Sequence, residues 1–423
     1  MSAFTIISVL IFLSALFGYV NSRFLKLAPS VGLMLQALAV SLILIGLDFT
    51  GVPGIQSAQA LLSNIDFNRV LFHGLLSFLL FAGALQVCLV CLNAVKSQVF
   101  ALATIGVIGS TAIVGFTVYL LLRAVGLGIP LTYCLLFGAL ISPTDPIAVL
   151  PIMRRAKAPK NLETLISGES LFNDGFAVVV FAVLLNLVSG ESSFSLPIEA
   201  AILFGQEAVG GLVFGLILGY VGYHVIKTID DYPVEILITL ALVTAGYAAA
   251  QALGTSGPLA TVVAGIVIGN HGRNRGMSVR TSENLDRFWE MVDIVLNSAL
   301  FVLIGLEAVA LVSRFSAVRL LVGLAAIPLV LLARFVSVGI PMVALKPVAK
   351  VGWRSTPFIT WAGLRGGIPV ALVLSLPQGP SRDMLVTMTY IVVLFSILVQ
   401  GTTVKYFVEP RKGTTSKSKA TKG

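Results

Sequence analysis

Charge is the scarcest property of this chain. Of its 423 residues, 28 are Lys or Arg and 19 are Asp or Glu, so 11% carry charge. A water-soluble globular chain has roughly 25%. So few charges cannot coat a soluble surface, which excludes a cytosolic enzyme, a disordered chain and a small secreted scaffold. Cysteine is nearly absent too: Cys88, Cys91 and Cys134 all lie in apolar stretches. The first two have CxxC spacing, and in a membrane helix cysteine acts as a small hydrophobe; a redox or metal-binding pair is the alternative reading. Histidine is equally rare, with His73, His224 and His271 near span ends or in a loop, where capped or exposed histidines outnumber pH sensors.

What fills the chain is apolar: 57% of residues are hydrophobic and the mean hydropathy is +0.99. A membrane-crossing helix takes about 20 such residues. Apolar windows fall near 3–20, 30–47, 70–92, 99–122, 130–152, 164–188, 200–226, 232–252, 254–269, 290–312, 318–340, 356–377 and 384–407. The expected fold is therefore an all-α polytopic membrane protein of about thirteen transmembrane helices. The windows 232–252 and 254–269 are divided only by a glycine. The first basic residue, Arg23, follows the first window, so 3–20 reads as a retained span and not as a secretory signal.

The net charge of +9 does not point to nucleic acid, because the basic residues sit in short clusters between apolar runs. With the amino terminus outside, most fall on the inner side, including Arg154, Arg155, Lys157, Lys160 and the Lys-rich end. Only Arg69, Arg123, Arg314, Arg319 and Arg382 fall on the outer side, and Arg334 and Arg365 lie within spans. That asymmetry predicts an odd number of spans and a cytoplasmic carboxyl terminus. Residues 1–411 read as one transmembrane unit, 412–423 as a disordered tail, and the connection 48–69 as an outer loop with a short interfacial helix.

Two spans are interrupted. Span five reads LLFGALISPTDPIAVLPI, with Pro143 and Pro146 flanking Thr144 and Asp145. Span twelve reads WAGLRGGIPVALVL, with Gly363, Gly366, Gly367 and Pro369 around Arg365. Proline removes a backbone donor and clashes with the preceding turn, so both helices should unwind there. Seven spans separate them, so they cross in opposite directions. A pair of broken, crossing helices predicts inverted repeats and a transporter with a midplane site.

A charge near the bilayer centre costs about 2.5–3.5 kcal/mol on insertion scales. Span six, TLISGESLFNDGFAVVVF, nevertheless holds Glu169, Ser170, Asn173 and Asp174. At helical spacing Ser170 and Asp174 share a face, and Glu169 and Asn173 the adjacent one. Ser170, Asp174 and Asp145 together offer two carboxylates, a hydroxyl and freed carbonyls, an oxygen set suited to hard cations. Glu169 and Arg334 would each be costly alone, but are tolerable as a hydrogen-bonded pair.

The motifs SPTDPIAVL at 142–150 and GESLFNDG at 168–175 resemble the NhaP/NHE branch of monovalent cation:proton antiporters. LLARFVSVG at 331–339 and GLRGG at 363–367 are similar to the same branch, and SFLLFAGAL at 77–85 more weakly so. The resemblance spans nearly the whole chain. It implies an NhaA-like antiporter fold, a homodimer, and a core domain (spans near 70–188 and 290–407) moving against a dimerisation domain made of the remaining spans. It implies exchange of Na⁺ or Li⁺ for H⁺ in a cytoplasmic membrane, with no other cofactor and no enzymatic activity. Asp174 would carry the ion and the proton, with Asp145, Ser170 and the Thr144 carbonyl as further Na⁺ ligands. Asn173 would brace the unwound span, Glu169 would pair with Arg334, and Arg365 would balance charge at the crossing. Asn173 stands where electrogenic relatives carry a second Asp, which implies electroneutral exchange. The resemblance departs in span three, where some relatives have an acid and this chain has Ala82 and Gly83, leaving Gln86 as the nearby polar residue.

Other acids occur at Glu207, Glu235, Asp293 and Glu307; Glu235 and Asp293, near inner span ends, suit a cation-attracting funnel. Asn297, one turn after Asp293, is placed to hydrogen-bond across helices. The alternatives are a K⁺/H⁺ antiporter, a cation channel, and an intramembrane aspartyl protease, whose usual Gly-Asp dipeptide is absent.

Overall fold

A backbone that crosses lipid has to satisfy its own N–H and C=O groups, and a run of apolar residues does so as helix. The computed structural model describes residues 3–48, 75–147, 149–189, 197–272, 277–312 and 316–407. Eight of the described helices are long and apolar enough to span a membrane, and three shorter apolar helices accompany them. The chain is an all-helical integral membrane protein. Among the described residues the only β-type pairing is an isolated bridge between Asp145 and Leu364. The tail 412–423, most of the 48–69 connection and His73 lie outside the described residues.

In order, the helices are α1 (Ala3–Val20), α2 (Pro29–Asp48), α3 (Leu76–Leu85) and α4 (Leu89–Ala101), which passes through a π-turn (Leu102–Gly106) into α5 (Val107–Ala124). Then come α6 (Leu131–Ile141), α7 (Val149–Arg155), α8 (Lys160–Ser189), α9 (Pro197–Ile226), α10 (Tyr232–Ala252), α11 (Gly257–Val267) and α12 (Val279–Val312). The last are α13 (Ala317–Ala344), α14 (Thr356–Ala362), α15 (Gly367–Leu374) and α16 (Pro380–Phe395).

Both interrupted spans are broken where the prolines and glycines fall: α6 and α7 flank one gap, α14 and α15 the other. One boundary differs from the sequence expectation. The window 70–92 ends early, at Leu85, and Leu89–Ala124 is a single helical stretch. The break is imposed from outside: Asn270 donates to the Val87 carbonyl (2.9 Å), and its Oδ1 accepts the Leu89 N–H (2.8 Å). The windows 232–252 and 254–269 are two helices, α10 and α11, joined by a tight turn in which Gly254 has φ +67°.

Without a hydrophobic drive between helices in lipid, close approach depends on small residues. Gly211, Gly215 and Gly219 form a stripe along α9 that lies against Ser256, Ala260 and Ala264 of α11 and the turn before it. A Cβ at Gly215 would sit 2.6 Å from the Ala260 carbonyl oxygen, a backbone atom with no room to yield, whereas Gly205 on the same helix has nothing within 4 Å. Gly215→Ala should therefore lower the thermal unfolding temperature of the purified protein, by the ~1–3 kcal/mol typical of overpacking. Gly205→Ala should leave it unchanged or slightly raised.

Candidate cation-binding site

The two breaks meet. The Asp145 N–H donates to the Leu364 carbonyl at 2.8 Å, so the unwound ends of α6 and α14 pair through their backbones. Gly366 makes this approach possible, because a Cβ there would lie 2.6 Å from Asp145 Oδ2. Asp145 Oδ1 accepts the Ile147 N–H at 2.8 Å, which fixes the carboxylate over its own loop.

Asn173 of α8 braces the same loop from the other side. Its Oδ1 accepts the Thr144 N–H (3.3 Å), and its Nδ2 donates to Thr144 Oγ1 (2.8 Å) and to Glu169 Oε1 (3.1 Å). The Ser170 hydroxyl donates to the Thr144 carbonyl. One helical turn of α8 thus holds the orphan groups of the unwound segment, which otherwise would be unpaired polar atoms in an apolar core.

Glu169 and Arg334 are 1% and 3% exposed. Arg334 Nη2 lies 2.7 Å from Glu169 Oε1 and 2.8 Å from Oε2, a charge-assisted contact of the strong kind. It links α8 to α13. Arg334 Nε is buried without a hydrogen-bond partner, and Gly363 leaves the space beside it: a Cβ there would come within 3.0 Å. Arg365, also 3% exposed, does not meet a carboxylate. Its Nη1 donates to the Ser142 carbonyl (2.6 Å) and the Pro143 carbonyl (2.9 Å), and its own N–H donates to Ser396 Oγ (2.7 Å). Those carbonyls are the C-terminal end of α6, where unpaired C=O groups carry partial negative charge that a cation neutralises.

A cavity of about 400 Å³ opens beside this scaffold. Thr144, Asp145, Ser170 and Asp174 line it, together with Gly366, Gly367 and Pro369 of the second break. The lining extends to the exposed Arg154 and Lys160 and to Glu163, where Arg154 Nε meets Glu163 Oε1 at 2.8 Å and Lys160 Nζ reaches Oε2 at 3.5 Å. Gln86 lines the wall, as do Asp293 and Asn297 of α12.

Several placements differ from those expected. Asn297 donates to Asp293 Oδ1 (2.9 Å) on its own helix, not to a neighbour, because i,i+4 spacing brings the two together first. Glu235 does not line the cavity; it is fully buried one turn from Thr239, which accepts Trp289 Nε1 at 3.1 Å. His224 Nδ1 contacts the Tyr220 carbonyl, and His271 packs against Tyr220 and Tyr223. Cys88 and Cys91 stand at the exposed end of the α3–α4 break and are bonded to each other as a disulfide, whereas Cys134 is a buried free thiol. Ser142, Ser396 and Leu364 contribute to the site without having been singled out, since a backbone carbonyl or a lone serine carries no sequence signal. Among the described residues no group of three or more His, Cys, Asp or Glu side chains is arranged to hold a metal; the oxygen set is two carboxylates, a hydroxyl and a carbonyl.

A helical membrane protein whose paired broken helices bring acids to an internal cavity belongs to the class of ion-coupled transporters. Residues 11–409 match the family described as "Sodium/hydrogen exchanger, transmembrane". The chain is 47% identical over 404 residues to the Na(+)/H(+) antiporter NhaP of Pseudomonas aeruginosa, covering 94% of each. It is 34% identical over 379 residues to the Na(+)/H(+) antiporter NhaH of Halobacillus dabanensis, covering 88% of this chain and 91% of that one. Its fold resembles that of the sodium proton antiporter MjNhaP1 from Methanocaldococcus jannaschii, with a TM-score of 0.74 at 21% identity over 95% and 97% of the two chains. The chain belongs to the sodium/hydrogen exchanger family, and it is a transporter, not an enzyme.

Two predictions follow from this geometry. Removing either partner of the buried pair strands the other, so Glu169→Gln and Arg334→Gln should each cost about 3–5 kcal/mol. The double variant should cost clearly less than the sum, a coupling that a double-mutant cycle of unfolding free energies measures. Gly366→Ala should push the Asp145 carboxylate aside and weaken Na⁺ binding to the purified protein about tenfold, equivalent to about 1.4 kcal/mol, with unchanged membrane insertion.

Proposed function

We propose that this chain is a secondary active antiporter that exchanges Na⁺, or Li⁺, for H⁺, with the two competing for the carboxylate of Asp174. The observation that carries the reading is that Asp174, Asp145, Ser170 and Thr144 line one cavity together, bounded by two broken helices. The relatives named as Na⁺/H⁺ antiporters over most of the chain support it.

The chemistry follows from desolvation. A bare carboxylate surrounded by apolar protein and flanked by two other negative groups is unfavourable, so it holds one positive guest. Asp174 and Asp145 supply negative oxygens to Na⁺, Ser170 its hydroxyl and Thr144 its carbonyl, hard ligands for a hard ion. A proton on Asp174 removes the charge that binds Na⁺. Either loaded form is neutral enough to move between two access states; the empty form is not, and that exclusion couples the fluxes. Among Asp145, Glu169, Asp174, Arg334 and Arg365 the fixed charge is −1, which one Na⁺ or one H⁺ cancels. Exchange is then one-for-one and electroneutral.

In the same reading, thirteen spans form two inverted repeats. The spans near 70–188 and 290–407 make a mobile core, the remainder forms the interface of a homodimer, and the carboxyl terminus is cytoplasmic in a cell membrane. The charged mouth with Arg154, Lys160 and Glu163 then faces the cytoplasm, and Asp293 adds negative charge on the path inward.

Reconstituted vesicles test this directly. Wild-type protein should convert a Na⁺ gradient into a pH change, at a rate unaffected by an imposed membrane potential, and Asp174→Asn should abolish it; exchange that persists in the variant overturns the mechanism. Competition also fixes the sign of the pH dependence. As pH falls the apparent KM for Na⁺ should rise, by at most about tenfold per pH unit for one competing proton, while the rate at saturating Na⁺ changes little. Running Na⁺, Li⁺ and K⁺ gradients in turn establishes which cation is carried.

A further inference from the structure

Cys88, the first residue of the CxxC pair, lies in the cavity wall, and ion exchange makes no use of its sulfur. Cys88 is exposed, lines the same cavity as Asp145 and Asp174, and is the N-cap of α4. Its backbone is extended, and its Sγ accepts the Cys91 N–H at 3.2 Å. Cys91 is half-buried on the first turn, with a Cα–Cα separation of 5.3 Å, within the range a disulfide spans without backbone movement. On either side of Cys88 the chain is pinned by Asn270, which bonds Val87 and Leu89. The pair can therefore open and close while the backbone stays in place. It also stands next to water, since the same cavity holds Arg154 and Lys160, whose side chains are 63% and 71% exposed.

We propose that Cys88–Cys91 is a site of reversible thiol–disulfide exchange with soluble dithiols and disulfides, and that its state sets how readily a cation reaches Asp174. The second half rests on the antiport reading above; the first does not. In reduction, a thiolate of an external dithiol attacks the exposed sulfur of Cys88. A mixed disulfide forms, the Cys88–Cys91 bond breaks, and Cys91 leaves as a thiolate. The second thiolate of the dithiol then attacks its own sulfur in the mixed disulfide and releases Cys88. The dithiol ends as a disulfide, and its two electrons and two protons reside on the two cysteines; a small-molecule disulfide reverses the sequence. When Cys88 is released, the helix N-terminus receives the charge on its sulfur, because the Cys91 N–H points at Cys88 Sγ. With the mouth in the cytoplasm, an exposed disulfide meets a reducing thiol pool, where such pairs serve as sensors more often than as braces. Reduction frees the Cys88 side chain to rotate into the cavity, and the bridge holds it back against α4.

The test uses the full-length protein in vesicles, incubated with dithiothreitol or with oxidised glutathione and then alkylated. Mass spectrometry should find Cys88 and Cys91 alkylated after the reductant, bridged after the oxidant, and interconverted on a second incubation. Failure to reduce without denaturant, or failure to re-form the bridge, overturns the exchange site. Asp174→Asn should titrate its thiols identically, so loss of transport and loss of redox exchange are separable. In wild type the apparent KM for Na⁺ should be about twofold or more higher in the reduced form, with the saturating rate unchanged, as for an entry effect. The Cys88→Ser/Cys91→Ser variant, which keeps Cys134, should show one KM under both conditions. Equal KM values in the two wild-type forms overturn the control of entry, as does a redox response that survives in the double variant.

Discussion

Unwound backbone inside a bilayer survives only when every exposed N–H and C=O finds a partner in the protein. The hydrogen bond from the Asp145 N–H to the Leu364 carbonyl is where that requirement is met for both breaks at once. It ties the gap between α6 and α7 to the gap between α14 and α15, and the remaining polar groups of the site arrange themselves around it. Asn173 and Ser170 take up the orphan atoms of Thr144, and Arg365 takes the two carbonyls at the end of α6. Each of these side chains is itself buried, so each is a desolvated group that repays its burial by holding another.

The division of labour among the charges follows. Glu169 and Arg334 neutralise each other and join α8 to α13. Arg365 is matched by carbonyl dipoles rather than by an anion. Asp145 and Asp174 are the acids beside the two breaks that line the cavity. The same helical turn supplies both kinds, because residues 169 and 173 share one face of α8 and 170 and 174 the next. That is why four polar positions within six residues, 169, 170, 173 and 174, can be tolerated in an otherwise apolar span.

How far this was legible in the sequence depends on the kind of signal. Composition and apolar windows revealed the helical membrane fold, since a span declares itself by length alone. The two interruptions were visible because Pro143, Pro146 and the glycines around Arg365 leave no ordinary helix possible. The placement of Glu169, Ser170, Asn173 and Asp174 followed from helical spacing. The end of α3 was not legible: residues 76–92 read as one apolar run, and the break at Gln86–Cys88 is set by Asn270, about 180 residues downstream. The partners of Arg365 were hidden for a different reason, since backbone carbonyls look the same at every residue. Asn297 finds its partner on its own helix, since Asp293 lies one turn before it.

The α3–α4 break shows how one distant clamp can govern two unrelated features. Because Asn270 ends α3 early, Cys88 becomes an N-cap instead of a mid-helix residue, and its Sγ points along the first turn toward Cys91. Had the helix run through, the two sulfurs would lie three residues apart on a continuous cylinder, buried or lipid-facing, and cysteine would be the small hydrophobe its apolar context suggests. The same early end brings Gln86 and Cys88 to the cavity wall on a span where some relatives place an acid. In this chain, then, α3 adds an uncharged stretch to the cavity wall, while Asp145 and Asp174 reach it from the broken fifth span and α8.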